Sequence, residues 1–368
     1  MKKIRTKLSN RTYGIYVKKD IDKIFKKLIQ KHFPDAEKLV LVTNNTIYSL
    51  YEEKIKGLLK DSGLDTLLIN IEDGEKYKTL DTVKYFYKKF KEFNVHRNDL
   101  IVPFSGGVIG DTAGFAAATF HRGVRLIQYP TTIIGQIDSS IGGKVAINYD
   151  KLKNFIGSFY QPFMTLVDTN LLSTLKEIEI INGFGEIIKN GVVFDKKILD
   201  LIDKKVPSEG ENRLFDFIKT KTFEDIIFMS CNIKAKIVEK DEFDQNYRHL
   251  ENFGHTVGHA IERASNLTKI NHGQGVSLGM LVALDISREL GLTEKDLKDY
   301  ILKFYKKLKL PCKIKGLEPK EIMKSLMYDK KFTSSKNKFV LLKGINKPTF
   351  YFNVKKGIIE ECIINNME

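Results

Sequence analysis

Four of the chain's seven histidines fall within one short stretch, Arg248 to Gln274, which reads RHLENFGHTVGHAIERASNLTKINHGQ. His255 and His259 stand four apart, a spacing that puts two imidazoles on one face of a helix. His272 follows thirteen residues after His259 in the context NHGQG, which reads as a turn back toward that helix. Two or three histidines, one carboxylate and an open position hold a catalytic divalent metal, because neutral imidazole suits zinc and its transition-series neighbours. An isolated HxxxH pair is more often surface or satisfied core, so the reading needs support elsewhere in the chain. Glu186 in GFGEIIKN is the carboxylate best placed by context: it is flanked by glycines in an apolar stretch, with Lys189 three residues on and so on the same helical face. Spacing alone leaves Asp241, Glu242, Glu251 and Glu262 open.

A second chemistry lies in the first half. After the apolar run LIVPF come Ser105-Gly106-Gly107-Val108-Ile109-Gly110-Asp111, followed by small residues. Glycines there let backbone amides approach a pyrophosphate at a helix start. A dinucleotide fingerprint wants glycine at 105, 107 and 110; Ser105 takes the first place, and no acidic residue stands at the expected distance downstream. Alone, this motif is weak. Thr131-Thr132, Asp138-Ser139-Ser140 and Gly142-Gly143-Lys144 then form a polar segment inside apolar sequence, and such groups need partners, of which a bound ligand is one. Lys153 and Asn154 stand just ahead of an aromatic run, where a lysine is usually only solvated.

These residues need a scaffold. KLVLVTNN, LDTLLINIEDGEK, DLIVPFSGG and RLIQYPTT read as strands, and IYSLYEEKIKGLLKDSG and TLDTVKYFYKKFKEF as helices. Strand and helix in series imply a parallel α/β sheet, with ligands beyond the carboxyl ends of its strands. From about Leu171 the pattern turns helical, with no strand of similar quality until FVLL near Phe339. The expectation is an α/β domain over 1–169 and an all-α domain over 170–368. No Pro/Ser-rich linker separates them, so a shared interface with a cleft is expected.

Composition excludes several classes. With 42% hydrophobic residues, 24 Phe and 15 Tyr, the chain can bury substantial cores. The net charge of +15 draws small anions, but the cations are scattered among acids and no nucleic-acid module appears. Three widely spaced cysteines support neither a disulfide framework nor a cysteine zinc site. The basic N-terminus lacks the apolar stretch of a secretory signal and no run reaches membrane-spanning length, so a cytoplasmic protein is expected.

PFSGGVIGDTAGFAAATFHRGV, YPTTIIGQIDSSIGGK, KNFIGSFYQP, GEIIKNG, NFGHTVGHAIE and HGQGVSLGM, in this order, resemble the 3-dehydroquinate synthase family from about Asn44 to Lys331. The resemblance implies an NAD-binding α/β domain, a helical metal-binding domain, a homodimer and one divalent metal, commonly zinc or cobalt. It implies Glu186, His255 and His272 as metal ligands and moves His259 to the substrate phosphate. NAD is implied against Asn44, Asp73-Gly74-Glu75-Lys76, Lys78, Gly107-Val108-Ile109-Gly110-Asp111, Thr131, Thr132, Lys144, Lys153 and Leu171-Leu172-Ser173-Thr174. Substrate is implied at Asp138, Lys144, Lys153, Asn154, Lys189, Lys234, Arg248, Asn252 and His259, with Lys330 or Lys331 near and Arg122 entering from a partner subunit. The implied substrate, 3-deoxy-arabino-heptulosonate 7-phosphate, carries a carboxylate and a phosphate, which so many cations suit. The implied reaction is a transient NAD oxidation, phosphate elimination, reduction, and an intramolecular aldol closure to 3-dehydroquinate.

The sequence departs from the family pattern at Ser105, Asn44, Gln274, Val145-Ala146, Ile178 and Asp244, none of them an implied metal ligand. Asn44 bears on a ribose contact, and Gln274 and Asp244 on the metal's surroundings. Related readings are another sugar-phosphate cyclase, against which DSSIGGK and Lys234-Ala235 speak, and a metal-dependent alcohol dehydrogenase of the glycerol dehydrogenase type. A basic, non-catalytic binding protein has no need of the three ligands together.

Overall fold

The apolar run KLVLVTN forms a central strand because it is apolar on both faces. Leu39 and Leu41 enter one buried cluster, and Val40 and Val42 enter another on the opposite face. The structure, a computed structural model, describes residues 1–150, 152–265, 270–294, 296–327 and 337–368. The chain opens with the hairpin β1 (Lys2–Lys7) and β2 (Thr12–Val17), then α1 (Phe25–His32). It continues as β3 (Lys38–Asn44), α2 (Asn45–Asp61), β4 (Asp65–Ile71) and α3 (Leu80–Glu92). Next come β5 (Leu100–Ser105), α4 (Gly107–Thr119) and β6 (Arg125–Pro130). A second hairpin, β7 (Lys144–Tyr149) and β8 (Leu152–Phe159), precedes the short strand β9 (Met164–Val167).

Seven of these strands form one sheet in the order β1-β2-β9-β6-β5-β3-β4, parallel except for the β1–β2 pair. From β3 the chain moves outward to β4 and then returns to the other side of β3 as β5. The switch point of the sheet therefore lies between the carboxyl ends of β3 and β5, where such folds take ligands. Asn44 ends β3, and Ser105 ends β5 with Gly106 following.

The second part begins with α5 (Glu177–Val193), α6 (Lys197–Lys205), α7 (Arg213–Ile218) and α8 (Lys221–Lys240). It continues with α9 (His255–Ala264), α10 (His272–Glu289) and helices over Asp296–Leu308, Pro319–Met327 and Lys356–Ile364. It is not all-helical: β10 (Lys338–Leu342) and β11 (Pro348–Phe352) pair as an antiparallel hairpin. The apolar residues of KFVLL find a partner strand, which a helical context in sequence does not reveal.

The chain divides into two compact units, Met1–Leu175 with Ile227–Phe243, and Lys176–Ile226 with Asp244–Glu368. Most of α8 thus counts with the first unit, whereas the sequence reading placed its division at 169. Among the described residues no helix is long and apolar enough to cross a membrane.

Candidate functional site

Three helices of the second unit bring the expected ligands together. Glu186 lies midway along α5, while His255 and His272 are the first residues of α9 and α10. Glu186 Oε1 is 3.5 Å from His255 Nε2 and 3.5 Å from His272 Nε2. One donor atom from each of the three residues lies within 4.8 Å of the others. A cation about 2.0–2.1 Å from each donor would hold tetrahedral neighbours about 3.4 Å apart, so the donor set fits a zinc-like ion. Glu186 Oε1 is buried and makes no hydrogen bond of good geometry among the described residues, which leaves a dehydrated acceptor facing two imidazole nitrogens. Its other oxygen, Oε2, is fixed 2.5 Å from Lys189 Nζ.

The other ring nitrogens are anchored as well. His255 Nδ1 lies 3.3 Å from the Phe253 carbonyl oxygen, and His272 Nδ1 lies 3.1 Å from Glu262 Oε1. Both rings therefore turn Nε2 toward Glu186. Burial alone would raise the Glu186 carboxyl, but Lys189 and the two histidines outweigh it and hold it well below the usual carboxylate range. Burial, with the Lys189 ammonium, pushes His255 well below the ordinary imidazole value. Burial opposes a proton on His272, yet the carboxylates of Glu186 and Glu262 prevail and push it up to about 10. The cluster thus offers an anionic donor, a neutral one, and a third carrying a proton whose place a divalent cation can take.

Glycines make the convergence possible. A Cβ on Gly273 would lie 1.8 Å from the Asn182 carbonyl oxygen, and one on Gly185 would lie 2.3 Å from the Gly273 carbonyl oxygen. Backbones of α5 and α10 therefore touch beside Glu186 and His272. A Cβ on Gly279 would likewise meet the Gly254 carbonyl oxygen at 2.0 Å, and Gly254 takes a φ of 79° as the chain turns into α9. At the start of α10, Asn271 caps the helix and its backbone N–H donates to Gln274 Oε1 at 3.1 Å. Glutamine thus serves as the acceptor of a capping box at this position.

The remaining expected residues of this unit gather around the cluster to different degrees. The His259 ring centroid lies 5.3 Å from that of His255 and 5.7 Å from that of His272, but the side chain is exposed. Arg248 is 2% exposed on a short turn of 3-10 helix, Tyr247–Asn252, which also carries Asn252; Arg248 Nε lies 3.4 Å from Glu251 Oε2. Glu251 is thereby accounted for as an ion-pair partner. Glu262, which spacing left open, is brought against the His272 ring; its signal was the interval of seven from His255. Lys330 and Lys331 lie outside the described residues.

In the first unit the glycine turn opens α4 at Gly107 with no side-chain cap, so its leading amides face outward from the end of β5. Asn44 Oδ1 accepts from the Ile47 N–H at 2.8 Å and caps α2, while its Nδ2 donates to Asp73 Oδ1 at 2.9 Å. Lys78 is buried, with Nζ 2.6 Å from Asp111 Oδ2 and 2.5 Å from Asn154 Oδ1. Asn148 Nδ2 donates to Glu75 Oε1 at 2.7 Å and so ties the Gly74–Lys78 turn to the β7–β8 hairpin. The Thr131 N–H donates to the Ser105 carbonyl at 3.0 Å, and Thr132 Oγ1 accepts from the Gly135 N–H at 3.0 Å. Asp138 Oδ1 is 2.6 Å from Lys234 Nζ on α8. Lys144 and Lys153 are exposed on β7 and β8, and Lys76 on its turn. Leu171 and Leu172 are buried in the core, which leaves Ser173 and Thr174 as the exposed side chains of that segment. Arg122 is exposed on a turn where both it and His121 adopt positive φ, 61° and 50°.

Burial pushes the Asp111 carboxyl up to about 6, despite the Lys78 ammonium that pulls it down. Because the folded value exceeds the unfolded one, the folded state binds more protons between them, and the stability this gives below pH ~4 is lost as pH rises through ~6. Asp111→Asn mimics the protonated form. The variant is expected to gain on the parent protein by up to about 3 kcal/mol between pH ~4 and ~7, read from urea unfolding across that range. A pH-independent difference would refute the assignment.

The family description 3-dehydroquinate synthase N-terminal matches residues 68–182, and 3-dehydroquinate synthase C-terminal matches residues 183–332. The chain is 39% identical to the 3-dehydroquinate synthase of Clostridium botulinum (strain Alaska E43 / Type E3), over 94% of this chain and 97% of that one. Its fold is that of a 2-deoxy-scyllo-inosose synthase solved with carbaglucose-6-phosphate, NAD+ and Co2+, at a TM-score of 0.87, 23% identity and full coverage of both chains. A 2-epi-5-epi-valiolone synthase from Streptomyces hygroscopicus subsp. jinggangensis 5008 with NAD+ and Zn2+ bound superposes equally well, with TM-score 0.87, 24% identity and 98% of each chain covered. With two matching family regions that span most of its length and a relative this similar end to end, the chain belongs to the 3-dehydroquinate synthase family.

Proposed function

We propose that the chain converts 3-deoxy-D-arabino-heptulosonate 7-phosphate to 3-dehydroquinate and phosphate, as a carbon–oxygen lyase of the shikimate pathway that needs NAD and one divalent metal, zinc or cobalt. The observation that carries this reading is the Glu186, His255 and His272 cluster in a chain of this family. Those three residues would hold the ion. NAD would lie on the first unit, where Asn44, the Asp73–Lys78 turn, the Gly107–Asp111 helix start and Thr131-Thr132 stand at strand ends. Residues 1–169 are accordingly read as the nucleotide-binding part and 170–368 as the metal- and substrate-binding part. When bound, the ion polarises substrate hydroxyls and NAD supplies a reversible oxidation that acidifies the C–H beside the phosphate-bearing carbon.

The chain's own residues bind and orient. Lys189 and Lys234 are buried and each is pinned to a carboxylate, Glu186 and Asp138, so each presents its ammonium from a fixed place. Arg248, buried, supplies a planar fork for a carboxylate or phosphate, with Asn252 beside it. His259, exposed beside the metal cluster, donates to the phosphate as it leaves. Asp138, Lys144, Lys153 and Asn154 complete the polar set. The homodimer implied by the family resemblance would let the exposed Arg122 serve the partner's substrate. The free thiols Cys231, Cys312 and Cys362 suit a reducing cytoplasm.

The test follows from redox neutrality. Purified protein with NAD and a divalent metal is expected to release phosphate from the heptulosonate phosphate while bulk NADH stays flat, and to stop when a chelator is added. Sustained NADH accumulation would identify a dehydrogenase of the glycerol dehydrogenase type instead.

A further inference from the structure

The proposed chemistry leaves Glu262 without a task. It is buried on α9 seven residues after His255, so the two share a helical face. Gly275 makes room for it, since a Cβ there would lie 2.9 Å from Glu262 Cγ and 3.1 Å from its Oε1. The His272 ring is gripped on two edges, with Nδ1 3.1 Å from Glu262 Oε1 and Nε2 3.5 Å from Glu186 Oε1.

Two groupings compete for this ring. His259, Glu262 and His272 also have donor atoms within 4.8 Å of one another. Two features favour the Glu186 grouping. Glu186 Oε1 is the buried acceptor without a good hydrogen bond, whereas Glu262 Oε1 already has one. His259 is exposed, whereas Glu186 is fully enclosed and His255 only partly accessible.

We infer that Glu262 is a positioning residue: it accepts the Nδ1 proton of His272, fixes the tautomer, and turns the Nε2 lone pair toward Glu186 and His255. A carboxylate on the far nitrogen of a ligating imidazole both orients the ring and makes it a better donor. The inference rests on the reading of Glu186, His255 and His272 as the metal ligands.

The experiment is a Co2+ titration of the full-length protein, followed by visible absorption and chelator competition, with thermal unfolding alongside. Glu262→Gln is expected to fold, to bind Co2+ roughly 10- to 100-fold more weakly, and to keep the band intensity of the parent because the number of ligands is unchanged. Affinity within twofold of the parent would overturn the inference. So would a changed band intensity, which marks Glu262 as a ligand in its own right. If the glutamine variant fails to fold, Glu262→Asp, which keeps the charge but withdraws it by one methylene, is read by the same criteria. Failure of the underlying ligand reading looks different: His255→Ala would then bind Co2+ as the parent does, whatever residue occupies position 262.

Discussion

His255→Ala is expected to abolish metal binding and to lower kcat/KM at least about a thousandfold, because several kcal/mol of transition-state stabilisation depend on the ion. His259→Ala, one helical turn along the same face, is expected to keep its metal and lose about a hundredfold in turnover, the range for a displaced proton donor. The contrast follows from geometry. His255 Nε2 lies 3.5 Å from the buried Glu186 oxygen, while His259 is exposed at the edge of the cluster. Metal content by atomic emission and phosphate-release rates on both variants settle the matter; equal metal loss in the two would overturn the ligand assignment.

Gly273→Ala is expected to destabilise the protein by more than about 3 kcal/mol or to prevent folding, although a helix interior ordinarily favours alanine over glycine by about 0.5–1 kcal/mol. The added methyl would meet the Asn182 carbonyl oxygen at 1.8 Å, and backbone cannot swing aside as a side chain can. Helices α5 and α10 would have to separate, carrying Glu186 away from His272. Gly57→Ala on α2 is the control, since nothing lies within 4 Å of a Cβ there and the usual stabilisation is expected. Thermal or urea unfolding of the two variants should move in opposite directions; a mild loss at Gly273 would show that the helix contact is not the constraint described.

The parallel core was legible because β3, β5 and β6 are short apolar runs punctuated by turn residues, and α2 and α3 carry clear helical periodicity. The β1–β2 and β7–β8 hairpins were not. KNFIGSF is exposed along nearly its whole length, so it lacks the alternation that burial of one face imposes. The candidate metal cluster was half legible. A spacing of four paired His255 with His259, but the chain turn at Asn271 and the glycine contacts decide which ring meets Glu186, and neither has a period that sequence displays. The context NHGQG brings His272 back toward the helix, but only the family resemblance ranks it above His259 as a ligand. Glu262 was present in the same helical face, one candidate among several acids, until distances separated it from Glu251, which is held by Arg248.

His255 and His272 are steadied by different kinds of acceptor, a main-chain carbonyl at Phe253 and a carboxylate at Glu262. A peptide oxygen survives every amino-acid replacement, so the first imidazole keeps its brace through any mutational drift at that position. The second brace is genetically editable. If Glu186, His255 and His272 hold the ion as proposed, selection for a different ion, or for looser retention of the same one, has an adjustable screw in codon 262 that leaves all three donors untouched.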